Sequence, residues 1–92
     1  MEKYYVNQIL DITLDTEIAD LSAAQEPVIF AIAPDEKEFF WPAQVIESAL
    51  FYKTSKTDLY IAGDWRLQPM PRVPGAEAPG ETVILTIHRL GQ

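Results

Sequence analysis

The chain has no cysteine and a single histidine, His88. Without thiolates there is no disulfide framework, no iron–sulfur cluster and no cysteine nucleophile, and one imidazole gives a transition metal little to bind. Glycine is scarce as well, with four residues isolated at positions 63, 75, 80 and 91. Neither G-x-x-x-x-G-K-[ST] nor G-x-G-x-x-G occurs, which excludes both common phosphate cradles. Ser22, Ser48 and Ser55 are the only serines, and none lies in a G-x-S-x-G elbow. No apolar run approaches the roughly 20 residues of a membrane helix; residues 28–33 and 83–87 have strand length instead. Residues 1–5 show no basic region leading into an apolar core, so we expect a soluble, cytoplasmic protein. We expect no enzyme, no cofactor and no metal.

Bases are few and unevenly matched. Seven Lys and Arg face fourteen Asp and Glu, a formal charge of −7. Residues 1–38 hold nine acids and two bases, whereas residues 39–92 hold five of each, so all the net charge lies in the first two-fifths of the chain. Phosphate backbones need clustered cations, and these are scattered, which argues against direct nucleic-acid binding. Acidic charge keeps a small protein soluble. It also steers encounter with a basic protein surface.

Ninety-two residues, 48% hydrophobic and 23% charged, suit one folded domain spanning 1–92 with a modest core. Leu10, Ile12 and Leu14 alternate with Asp11, Thr13 and Asp15, the pattern of a strand with one wet face. Residues 16–25 fit a short helix capped by Asp15 or Thr16. Residues 28–33, VIFAIA, read as a buried strand, and 35–38, DEKE, as a solvated turn.

Residues 43–53 follow Pro42 without a turn residue and place Ala43, Ile46, Ala49, Leu50 and Lys53 on one stripe, which predicts a helix. The competing reading is a strand: Trp41-Pro42-Ala43-Gln44-Val45-Ile46 resembles a strand of small SH3-like barrels such as Tudor and PWWP modules. Those six residues carry over no binding residue. Residues 59–67 read as a strand broken at Gly63-Asp64, and 82–90 as a final strand. Between them, 68–81 hold four of the seven prolines and form an extended Pro/Gly-rich surface loop. The order predicts an α+β fold, a two-layer domain with a mainly antiparallel sheet of about four strands and one covering helix; an SH3-like β-barrel is the alternative.

Chemistry-bearing groups are sparse. Asp35, Glu36 and Glu38 share a turn that gives no desolvation to split their pKa values, as acid–base pairs require. His88 lacks an activated nucleophile to serve and reads as structural. Phe39, Phe40 and Trp41 are more informative. Trp41 precedes proline and is extended, so successive side chains point to opposite sides and the three cannot share one core. Exposed aromatics are typical binding anchors. Met70, between Pro69 and Pro71, is a further contact candidate.

These features predict a small acidic, non-enzymatic protein-binding module, an inhibitor or adaptor that occupies a basic surface of a larger partner. Size and charge are those of phage-type antagonists, immunity proteins and antitoxins. The expected contact residues are Asp11, Asp15, Glu17 and Asp20 with Phe39, Phe40, Trp41 and Met70. The alternative is a structural or assembly subunit that forms a homodimer or larger oligomer through the aromatic triplet. Neither nucleic acid nor membrane is an expected partner.

Overall fold

A computed structural model describes residues 3–16, 18, 21, 24–71 and 80–90. Eight strands account for its regular structure: β1 Tyr4–Tyr5, β2 Asp11–Asp15, β3 Val28–Ile32, β4 Glu38–Pro42, β5 Gln44–Ile46, β6 Ala49–Lys53, β7 Gly63–Met70 and β8 Val83–His88. They form a five-stranded sheet in the order β1-β8-β7-β3-β4 and a three-stranded sheet in the order β2-β6-β5. All pairs are antiparallel except β1 with β8.

The predicted covering helix is absent, and the α+β assignment gives way to an all-β fold. No described residue is helical, including residues 16, 18, 21, 24 and 25 of the first expected helix. The second, 43–53, is a hairpin in which β5 and β6 flank a two-residue turn at Glu47-Ser48. Helix propensities differ by fractions of a kcal/mol, roughly 0–0.7 per ordinary residue, and packing outweighs them here. Proline holds Trp41 extended, β-branched Val45 and Ile46 prefer the pleat, and β6 pairs along all five residues of β2. Pro42 does not start a helix but ends an edge strand, where its missing N–H leaves no ladder bond unmade. The SH3-like alternative is also corrected, since the two sheets do not close into a barrel.

Among the links between the sheets, the shortest is a bend within one extended segment. At Ala43 the chain passes from β4 in the larger sheet to β5 in the smaller, and the Ala43 amide donates to the Pro27 carbonyl at 3.0 Å. The core fills the space between the sheets: Ile12, Leu14 and Leu50 on one side, Ile29, Trp41, Trp65, Leu67 and Ile87 on the other. Trp65 is fully buried, and its indole N–H donates to the Ile61 carbonyl at 3.0 Å. A buried indole without such a partner would carry a desolvation cost of about 1–3 kcal/mol.

Two local devices set the register. The buried Thr54 hydroxyl accepts the Leu10 amide at 2.8 Å, while the Thr54 amide donates to the Leu10 carbonyl at 2.9 Å, which ties the start of β2 to the end of β6. Pro69 lies opposite Ile29 within β7, a position that usually excludes proline. Its backbone faces away from β3, beyond the end of β8, and its carbonyl accepts the Gly80 amide at 3.0 Å. No ladder N–H is needed there. Pro69 and Pro71 are both fully buried, so the start of the expected 68–81 surface loop belongs to strand and core; residues 72–79 lie outside the described residues.

Candidate functional site

Strand β4 separates the aromatic triplet. Its pleat sends Phe39 and Trp41 inward and Phe40 outward. Trp41 is buried, stacked on Tyr52 at 5.1 Å between ring centres and on Trp65 at 6.0 Å. Phe39 is half-buried at the edge of the same cluster, edge-on to Tyr60 at 5.9 Å. Phe40 is 57% exposed. It stacks at 5.0 Å on Phe30, its cross-strand partner on β3. Phe30, Phe40, Gln68 and Met70 line a shallow hollow of about 260 Å³ on the outer face of the larger sheet. Register adds Val28 and Ile32 to that face, and Ile84, 54% exposed, beyond Arg66.

Of the expected contact residues, then, Phe40 and Met70 meet at one surface. Trp41 is enclosed in the core and offers a partner nothing, and Phe39 offers only an edge. Asp11 and Asp15 are exposed on the outward side of β2, on the other sheet. Acids and aromatics therefore form two surfaces rather than one. Glu17 and Asp20 lie outside the described residues. Phe30 and Ile84 were missed: Phe30 sits in what reads as a strand buried on both faces, and only the register against Phe40 shows its outward side.

Several other titratable groups are tied to structural partners. Both Asp35 carboxylate oxygens accept the Tyr60 hydroxyl at 2.9 Å, and Oδ1 accepts the Lys37 amide at 3.1 Å. Desolvation is the largest single influence on Asp35 and works against its ionisation, but the Tyr60 hydroxyl, the Lys37 amide and the Lys37 charge together outweigh it and lower its pKa. Desolvation and the Asp35 carboxylate raise that of Tyr60. Glu36 pairs with Arg66 at 2.7 Å in open solvent. Asp58 accepts the Tyr52 hydroxyl at 2.6 Å and the Ser55 amide at 2.8 Å. His88 is half-buried beside the Tyr5 ring, centre to centre 6.1 Å. Among the described residues no three His, Cys, Asp or Glu side chains converge on a metal position, and no helix is long and apolar enough to cross a membrane.

No protein-family model, curated protein or solved structure matches the chain.

Proposed function

We propose that the protein is a non-enzymatic protein-binding module, an inhibitor or adaptor that docks on a larger partner with a basic surface. The observation that carries the reading is Phe40, a large apolar side chain left 57% exposed beside Phe30 and Met70 on a sheet face. A contiguous apolar patch of this kind marks an interface, and aromatic anchors dominate binding energy. The surplus of acids supplies steering toward a cationic target.

The test is capture of a partner by tagged protein from nuclease-treated lysate, with elution in rising salt, run beside Phe40→Ala. One stoichiometric partner released by salt and lost with Phe40→Ala supports the reading. A partner whose capture ignores both salt and Phe40→Ala removes it. Self-association is the second reading, favoured because Phe40, Phe30 and Met70 form one apolar patch across β4, β3 and β7. Sedimentation would then show an oligomer that dissociates in Phe40→Ala.

A further inference from the structure

The wall of the molecule has a gap. In the two sheets β3, β6 and β7 have a strand on both sides, β4 and β5 have one each and are continuous through Ala43, and β2 and β8 do not pair with each other. At one end of the gap, β1 pairs with β8 through two residues only, Tyr4 with Ile87 and Tyr5 with His88. The edge of β8 from Val83 to Thr86 has no strand beside it among the described residues.

Backbone direction shows what this opening presents. Leu10 and Thr16 both bond toward the β6 side, so alternation turns Ile12 and Leu14 to β6 and leaves Thr13 and Asp11 directed into the gap. On the facing edge the Val6 amide donates to the His88 carbonyl at 3.1 Å, which by the same alternation directs Ile84 into the gap. Two strand edges thus offer hydrogen-bonding groups across one opening.

Between them lies an apolar groove of about 300 Å³. Its floor is formed by Ile12, Leu14, Leu67 and Leu85. Val83 lies opposite buried Leu67 and so faces inward, yet it is 45% exposed. Ile9, at the other end, is 47% exposed. The margin is acidic. Asp11 borders the groove, and Asp15 and Glu81 line an adjoining hollow of about 190 Å³ with Val83.

We propose that this seam receives an extended segment of a partner protein as an added strand, in which apolar side chains alternate with lysine or arginine. The guest's inward side chains fill the groove, its outward cations lie along Asp11, Asp15 and Glu81, and its backbone bonds to Thr13 and Ile84. This is strand addition, in which edge hydrogen bonds give affinity and alternate side chains give specificity. The proposal rests on the reading of the protein as a protein-binding module and names a second contact, distinct from Phe40.

The probe is an end-capped peptide alternating lysine and valine, with a glutamate–valine peptide as control. Amide exchange is followed by NMR at Thr13 and Ile84. Both amides should exchange fast in the free protein and slow by about tenfold or more with the lysine peptide alone. Thr13→Pro removes an N–H directed at the guest and none directed at β6, so it should abolish the response with the thermal transition kept. Should that variant fail to fold, Asp11→Asn with Asp15→Asn should weaken the peptide about tenfold at low salt. Three results overturn the proposal: slow exchange at both amides in the free monomer, where the chain itself closes the seam; slow exchange only in a concentration-dependent dimer, where a second copy does; or peptide binding that leaves both amides fast. If the seam fails while partner capture still depends on Phe40, only the seam is lost; loss of capture itself removes the underlying reading.

Discussion

Phe40 and Trp41 are chain neighbours with opposite duties, and single substitutions separate them. Trp41→Ala removes a ring stacked between Tyr52 and Trp65, and we expect a loss of about 3–5 kcal/mol in urea denaturation. Phe40→Ala removes a side chain 57% exposed and should cost under about 1 kcal/mol while abolishing partner capture. A comparable loss for both would mean that the outer face is part of the folding core. Thr54→Val keeps the volume but leaves the Leu10 amide without its acceptor, at a cost of about 1–3 kcal/mol. Gly63 works by conformation. It holds φ 131°, and a Cβ there would lie 2.8 Å from the Pro34 ring, so the Gly63-Asp64 dipeptide starts β7 instead of breaking a strand already begun.

At the scale of elements, the strands with a clean period of two were legible. β2 follows the alternation of its acids and aliphatics, and β3 and β8 fall within the apolar runs at 28–33 and 82–90. The β5–β6 hairpin was not, because its turn is Glu47-Ser48, without the Asn-Gly or Gly-Gly that signals a two-residue turn. Glu47 adopts φ 55° there, a conformation that costs a non-glycine residue free energy. Glu47→Asn should therefore stabilise the protein by about 0.5–1 kcal/mol, read as a shift of the urea midpoint. The candidate site was half legible: alternation predicts that one of three aromatics faces out, but which one, and its meeting with Phe30, depends on strand pairing across intervening turns.

The link between β6 and the turn that follows it titrates. Desolvation, the hydrogen bond to Asp58 and that carboxylate's charge push Tyr52 up to about 12. A folded pKa above the unfolded value of about 10 means the native state holds the proton longer. Its contribution is complete below pH about 10 and disappears as pH rises to about 12. Thermal melts across that window should fall more steeply for the wild type than for Tyr52→Phe. Parallel curves would show that the Tyr52–Asp58 bond adds nothing at neutral pH.

For the whole molecule, the question is whether a formal charge of −7 is only a solubility device. The two roles make opposite demands on salt. Self-repulsion opposes compaction, so raising NaCl from about 0.01 to 0.3 M, which shortens the Debye length from about 30 Å to below 8 Å, should raise the melting temperature. Steering toward a basic partner weakens under the same change. Asp11→Asn with Asp15→Asn removes two exposed carboxylates from one edge strand, where each exposed pair contributes about 0.2–1 kcal/mol to binding. The melting temperature of the free variant should respond less to salt than that of the wild type. Its affinity for the captured partner should fall, and the fall should vanish at high salt. If affinity is unchanged at low salt while the melting behaviour shifts as described, these acids serve solubility alone and recognition rests on the apolar surfaces. If affinity and salt response fall together, these acids form a negative edge that takes part in recognition.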